Sequence, residues 1–182
     1  LPEALSGIEN WMRQLENEAV RLTELFLAGT TWSTLIVNLI MMAILAGLGE
    51  ELLLRGIVQP LFIRLTKNPH LGIWIAAALF SFMHFQFFGF IPRMLLGALF
   101  GYYYYWSRNL WIPIIAHILN NGFIVIYTFY SGSTDTIQSL GENDAASSST
   151  APHIIVLSIF LSISLTIAGL LFFYRESNRG QN

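Results

Sequence analysis

The chain has 182 residues, of which 54% are hydrophobic and 11% are charged. Soluble domains carry about 25% charged residues, so the composition indicates a membrane protein. The net charge is −2 with no basic patch, which argues against a nucleic-acid partner. The absence of cysteine excludes disulfides, thiolate metal ligands and cysteine nucleophiles.

Apolar blocks long enough to cross a bilayer as helices predict an all-α, polytopic transmembrane bundle. We predict four parts: an amphipathic N-terminal helix over 1–30, a transmembrane core over 31–130, a polar extracytoplasmic loop over 131–152, and a last transmembrane helix with a C-terminal tail over 153–182.

The N-terminal helix has apolar residues at steps of three and four, including Ile8, Trp11, Leu15 and Leu22, which fits one helical face. Acidic and basic residues line much of the rest. Two interpretations remain open: a helix lying on the membrane or on the protein, or a solvated lead-in helix.

The first spanning block begins near residue 32 and continues through Glu50 and Glu51 to Leu65. As one straight helix it would be about 50 Å long, more than the ~30 Å of the hydrocarbon core. Glycines and Pro60 provide places to bend, so we expect a long, tilted or broken helix with both glutamates near its middle. Four further blocks are predicted, over 71–90, 92–106, 109–130 and 153–174.

The distribution of lysine and arginine predicts the orientation. Arg64 and Lys67 follow the first block, Arg175 follows the last, and the 131–152 loop contains neither residue type. Five crossings would then place the C-terminus and the 66–70 loop in the cytoplasm. Arg93 is the exception to this arrangement.

Ionisable residues inside apolar helices need an explanation, since a charge at the helix centre costs about 2.5–3.5 kcal/mol. Glu51 and Arg55 are four residues apart and can pair on one helix face. Glu50 is turned by about 100° and would face elsewhere, into a cavity. The alternative is that both glutamates only cap the helix or pair with Arg55.

Two further pairs have the same spacing of four. Phe80 would lie next to the imidazole of His84, and His117 would project beside Asn121. Asn121 and a suitably protonated His117 can donate hydrogen bonds. The structural alternatives are a His84 bonded to a carbonyl and a His117–Asn121 pair that links helices.

Together these groups supply a carboxylate, an imidazole and hydrogen-bond donors on three spans. Such a set can activate water and stabilise a tetrahedral oxyanion. Glu50, His84 and His117 are also a plausible zinc triad with an open fourth position.

Three motifs occur in one order: Glu50-Glu51-xxx-Arg55, Phe80-xxx-His84 and His117-xxx-Asn121. This order resembles the CPBP family, the CAAX protease and bacteriocin-processing (Abi) family of intramembrane endopeptidases. The likeness covers about residues 40–125 and includes Arg93 and Gly97-xxx-Gly101.

The resemblance implies a helical bundle with a catalytic cavity inside the membrane. Glu50 would activate the water, assisted by His84, and His117 and Asn121 would hold the oxyanion. Supporting roles would fall to Glu51, Arg55 and Phe80. The family has been described both as metalloproteases and as metal-independent glutamate proteases. We expect no metal, because Asn121 suits an oxyanion donor better than a zinc ligand, with Zn²⁺ on the triad as the alternative.

The expected partners are membrane lipid and a membrane-embedded or lipidated protein or peptide substrate. Eukaryotic members cut prenylated CAAX proteins, and prokaryotic members are linked to peptide processing, bacteriocin immunity and protein anchoring. We expect a bacterial cell membrane as the location. The competing hypotheses are a non-catalytic scaffold or immunity-type peptide-binding protein and a small transporter.

Overall fold

A computed structural model describes residues 6–131, and in this range the chain is helical and contains no strand. The helices are α1 (Ser6–Leu27), α2 (Trp32–Thr66), α3 (Pro69–Phe82), α4 (Phe90–Ser107) and α5 (Trp111–Ser131). The predicted all-α class is confirmed. The polar loop after Ser131 and the last predicted helix lie outside the described residues.

Helix α2 runs for 35 residues without a break. It contains two π-helical segments, Leu39–Leu45 and Leu54–Val58, on either side of the α-helical segment Ala46–Leu53 that carries both glutamates. A π turn holds one more residue than an α turn, so it changes which side chains face the neighbouring helices. The sequence predicts a bend at glycines or Pro60, and the structure instead has two π-helical segments in a continuous helix.

Helix α3 is shorter than the predicted block over 71–90. Asn68 caps its first turn, accepting hydrogen bonds from the backbone N–H groups of His70 and Leu71 at 3.0 and 3.2 Å. The helix ends at Phe82 after 14 residues, a length of about 21 Å. Residues 83–89 then form a non-helical connection to α4, called the 83–89 turn below.

The 83–89 turn is compact and contains a strained residue. Ser81 Oγ donates to the carbonyl oxygen of Phe90 at 2.7 Å, which ties the end of α3 to the start of α4. Phe85 has a φ of 54°, in the left-handed region that side chains other than glycine rarely adopt. His84 therefore lies on a constrained turn rather than on a helix.

Helices α3 and α4 pack closely because glycines face the contact. A Cβ atom at Gly97 would lie 2.8 Å from Cδ1 of Phe80, and one at Gly101 would lie 2.8 Å from Cγ2 of Ile73. The Gly97-xxx-Gly101 spacing is thus where the two helices approach each other.

Two helices in the described part, α2 and α5, are long and apolar enough to cross a membrane, and α3 is a shorter apolar helix. Large apolar side chains such as Ile36, Ile44 and Ile57 are exposed along α2. An exposed apolar face on a long helix suits contact with lipid acyl chains.

Candidate active site

Three buried ionisable side chains from two helices form the inner part of the site, called the buried ion cluster below. Glu51 Oε1 accepts hydrogen bonds from Arg55 Nη1 at 2.8 Å and from His117 Nδ1 at 2.9 Å. The three residues are 0%, 2% and 2% exposed. The structure therefore contains the ion pair expected from the spacing of Glu51 and Arg55, with His117 of α5 added to it.

Arg55 also fixes the position of α4. Its Nη2 donates to the carbonyl oxygen of Gly97 at 2.6 Å. The guanidinium carbon lies 5.7 Å from the ring centre of Phe80 and 5.9 Å from that of Phe100, within cation–π range. One side chain thus connects α2, α3 and α4 around the buried charge.

Phe100 is a component that sequence reasoning missed. It is fully buried, and its ring centre lies 5.1 Å from that of His117. The available signal was its spacing of three from Gly97, which places it on the same face of α4.

Glu50 lies between two imidazoles. Its Oε2 is 3.9 Å from His84 Nε2 and 3.7 Å from His117 Nε2. These distances are too long for direct hydrogen bonds and short enough for a bridging water. The side chains of Glu50 and His84 are 29% and 33% exposed, unlike those of the buried ion cluster.

The two adjacent carboxylates approach opposite nitrogens of His117. Glu51 contacts Nδ1, and Glu50 lies nearer Nε2. The sequence suggested that Glu50 would face away from the Glu51–Arg55 pair. His117 is nevertheless close to both carboxylates, because α5 packs where side chains about 100° apart on α2 can both reach its ring.

Hydrogen-bond partners define the tautomers of both histidines. His84 Nδ1 lies 2.8 Å from the carbonyl oxygen of Phe80, which can only accept, so Nδ1 carries the hydrogen. In the neutral ring Nε2 is then an acceptor facing Glu50. His117 Nδ1 likewise faces the carboxylate of Glu51, so its Nε2 can donate only when the ring is an imidazolium.

Phe80 lies between the two imidazoles. Its ring centre is 4.9 Å from that of His84 and 5.8 Å from that of His117, both in edge-to-face geometry. The contact expected from the Phe80–His84 spacing is present, although His84 lies beyond the end of α3.

Asn121 lies one turn after His117 and is directed towards α2. Its Nδ2 donates to the carbonyl oxygen of Met42 at 3.1 Å, and its Oδ1 accepts from Asn120 Nδ2 at 3.3 Å. An amide carries two Nδ2 hydrogens, so one remains to donate to another group. The structure therefore brings Glu50, His84 and His117 together, whereas Asn121 is bonded to Met42 and Asn120 and makes no direct hydrogen bond to those three residues.

Glu50 Oε2 lies slightly farther from the nitrogens of His84 and His117 than two ligands of one zinc ion lie from each other. Tetrahedral ligands at about 2.0–2.1 Å from zinc lie about 3.3 Å apart. The separations from Glu50 Oε2 are 3.9 and 3.7 Å, and no group of three or more acidic or histidine side chains between residues 6 and 131 could hold a metal ion.

The class of protein follows from the fold together with a family match. Residues 32–123 match the model of the type II CAAX prenyl endopeptidase family, Rce1-like. The matched segment is half of the chain and contains all three motifs. The protein is an integral membrane protein of helical-bundle fold. It belongs to the Rce1-like CAAX endopeptidase family, as its resemblance to the CPBP family implied.

Two curated relatives are similar over the same part of the chain. One is the uncharacterized protein YpbD of Bacillus subtilis, 31% identical over 86 residues, which are 45% of this chain and 41% of that protein. Another is the membrane-embedded CAAX protease MroQ of Staphylococcus aureus, 32% identical over 90 residues, which are 47% of this chain and 36% of that protein. The similarity thus covers less than half of each relative. No solved structure matches.

Proposed function

We propose that the chain is an intramembrane endopeptidase that hydrolyses a peptide bond of a membrane-associated or lipidated protein or peptide. The observation that carries the proposal is the position of Glu50 Oε2, within 3.9 Å of Nε2 of both His84 and His117. Family membership and the similarity to MroQ, a CAAX protease, support the same reaction class.

In the proposed reaction a water molecule binds between Glu50 Oε2 and His84 Nε2. Glu50 takes one proton as the water oxygen attacks the peptide carbonyl carbon, and the C=O π electrons move to the carbonyl oxygen. His84 Nε2 accepts the second hydrogen of the water in a hydrogen bond. Glu50 then returns its proton to the leaving nitrogen as the C–N bond breaks.

His117 and Asn121 would stabilise the oxyanion. The free Nδ2 hydrogen of Asn121 is one donor, and Nε2–H of a His117 imidazolium is the other. Glu51 lies 2.9 Å from Nδ1 of that ring and would stabilise its positive charge. With Glu50 and Glu51 ionised and Arg55 and His117 protonated, the formal charges of these four groups cancel.

We propose that the reaction is metal-independent, as in a glutamate protease. The tautomer of His84 and the spacing of the carboxylate suit a bridging water. Protein stripped with a chelator should retain its activity. Loss of activity that zinc alone restores would instead assign Glu50, His84 and His117 as zinc ligands. A shift of about 0.5 Å would bring Glu50 Oε2 to the separation of tetrahedral zinc ligands from both Nε2 atoms.

For the location we propose a bacterial cell membrane, with the C-terminus in the cytoplasm. The lack of lysine and arginine over 131–152 supports this orientation. Membrane lipid and an embedded or lipidated substrate would be the partners. Cysteine labelling at introduced surface positions of the full chain in cells would test the orientation.

The decisive experiment compares wild type with Glu50→Gln on a library of membrane-inserted and prenylated peptides in liposomes. We expect wild type to cleave and Glu50→Gln to lose at least about 10³-fold in rate. Glu18→Gln, at an exposed position of α1, is the matched control. Equal turnover by both variants would refute the role of Glu50. If wild type binds peptides without cleaving them, the alternative of a non-catalytic scaffold or peptide-binding protein would be favoured.

A further inference from the structure

The N-terminal helix α1 buries a carboxylate. Glu16 is 3% exposed, although α1 is amphipathic and its other acidic residues are at least partly exposed. Burying an ionised carboxylate is unfavourable unless partners compensate it. A specific contact must therefore hold Glu16 in place.

The partner of Glu16 is the turn that carries His84. Glu16 Oε2 accepts a hydrogen bond from the backbone N–H of Phe88 at 3.1 Å, across 72 residues of sequence. Arg93 at the start of α4 is close enough to interact electrostatically with both Glu16 and Glu50. A charged acceptor makes such a bond stronger than a neutral one would.

Two aromatic contacts join the same two segments. The ring of Trp11 lies 5.6 Å from that of Phe87, and the guanidinium carbon of Arg13 lies 4.9 Å from the ring centre of Phe88. Helix α1 thus packs against Phe87 and Phe88 of the 83–89 turn, and Glu16 makes the buried hydrogen bond of this contact.

The 83–89 turn needs such support from outside. Phe85 is held at a positive φ, which persists only where surrounding contacts enforce it. Arg93 supplies one support, because its Nη1 donates to the carbonyl oxygen of Gln86 at 3.3 Å and its Nη2 contacts the side-chain oxygen of Gln86. The bond from Glu16 to Phe88 supplies a second, two residues further along.

We propose that Glu16 is a positioning residue for His84: by holding the 83–89 turn, it keeps the imidazole opposite Glu50. Helix α1 then belongs to the catalytic architecture, although it lies before the family-matched residues 32–123. Displacement of a reacting group by about 1 Å can cost about 100-fold in rate. This inference rests on the proposed function for its effect on rate, but not for its effect on the position of His84.

The kinetic test compares Glu16→Ala with Glu16→Gln in the full chain. Alanine removes the acceptor, so we expect kcat to fall by about 10- to 100-fold with KM little changed. The Gln Oε1 can still accept from Phe88, so Glu16→Gln should recover most of the rate. Glu18→Ala, at an exposed position of the same helix, should match wild type. Equal kcat for Glu16→Ala and wild type would overturn the proposal.

A second measurement does not depend on catalysis. NMR of histidine-labelled protein in detergent should show the His84 signals shifted in Glu16→Ala and near wild type in Glu16→Gln, with the buried His117 little affected. Trp11→Ala should shift His84 in the same way if Glu16→Ala does not fold. Unchanged His84 signals in both alanine variants would refute positioning. Shifted signals in a protein that cleaves no peptide would support positioning while refuting the proposed function.

Discussion

Two glutamates that are adjacent in sequence occupy opposite environments. Glu51 is completely buried and bonded to Arg55 and His117, whereas the side chain of Glu50 is 29% exposed and none of its contacts with His84 and His117 is shorter than 3.7 Å. The carboxylate of Glu51 is therefore fixed by direct hydrogen bonds, whereas that of Glu50 makes no direct hydrogen bond to either histidine.

The difference separates two tasks. A buried charge with direct partners holds helices together, and removing one partner leaves the other uncompensated. A partly exposed carboxylate near two imidazoles can exchange protons with water and substrate. We therefore expect changes in the buried ion cluster to affect folding first, and changes at Glu50 and His84 to affect rate first.

The largest effect on folding should come from Arg55→Met. Without the guanidinium, the carboxylate of Glu51 keeps only His117 as a partner among residues 6–131, and the carbonyl oxygen of Gly97 loses its side-chain donor. Breaking a buried pair in this way costs about 3–5 kcal/mol. Unfolding of the detergent-solubilised protein by heat or SDS would measure the loss.

Arg64→Met, at an exposed position of the same helix, is the control for Arg55→Met and should be nearly neutral. The double variant Glu51→Gln with Arg55→Met should lose less stability than the two single variants added together, because no uncompensated charge remains. Additive losses would contradict the assignment of these residues to one cluster.

Asn121→Ala should separate oxyanion stabilisation from helix linkage. If the free Nδ2 hydrogen binds the oxyanion, its loss should lower kcat by about 100-fold or more. Loss of the hydrogen bond to Met42 should cost only about 1 kcal/mol of stability. Leu119→Ala, at an exposed position of α5, is the control. Reduced stability with unchanged kcat would support the structural alternative, a link between α5 and α2.

Local spacing predicted much of the fold and part of the site. The Glu51–Arg55 pair follows from a spacing of four on one helix and needed no knowledge of tertiary structure. The Phe80–His84 contact has the same spacing, although His84 lies on the turn after α3. The length and apolar character of α2 and α5 likewise followed from the sequence. The roles of the site residues remain predictions.

Features that depend on distant partners could not be predicted. The run after Phe82 is still rich in apolar residues, namely Met83, Phe85, Phe87 and Phe88, and apolar content alone does not distinguish a helix from a turn. Glu16 resembled an ordinary residue on the polar face of an amphipathic helix. Its burial depends on Phe88, and no local pattern in α1 signals that contact.

Gly101→Ala, next to the buried ion cluster, should lower the free energy of unfolding by an intermediate amount. Gln59 donates to the carbonyl oxygen of Gly101 at 3.0 Å, one turn from the equivalent bond between Arg55 and Gly97. An added Cβ would lie 2.8 Å from Ile73 Cγ2 and 2.9 Å from Gln59 Oε1. Overpacking of this kind costs about 1–3 kcal/mol.

Gly56→Ala on α2 is the matched control for Gly101→Ala. Its Cβ would meet nothing within 4 Å, so the substitution should be neutral or stabilising. The same unfolding assay measures both variants. A stability loss at Gly56 as large as that at Gly101 would show that backbone flexibility, and not close approach of α3 and α4, is what the glycines provide.

Among the substitutions at the site, the smallest effect on folding should come from Glu50→Gln, even though the same substitution should have the largest effect on rate. Glu50 Oε2 is buried but makes no direct hydrogen bond to another residue between 6 and 131, and the side chain of Glu50 as a whole is 29% exposed. An uncharged amide of the same shape should therefore change the free energy of unfolding by no more than about 0.5 kcal/mol. A loss comparable to that of Arg55→Met would mean that the folded protein needs the charge of Glu50 against His117. The two glutamates would then form one structural unit, and the separation between a fixed and a free carboxylate would no longer hold.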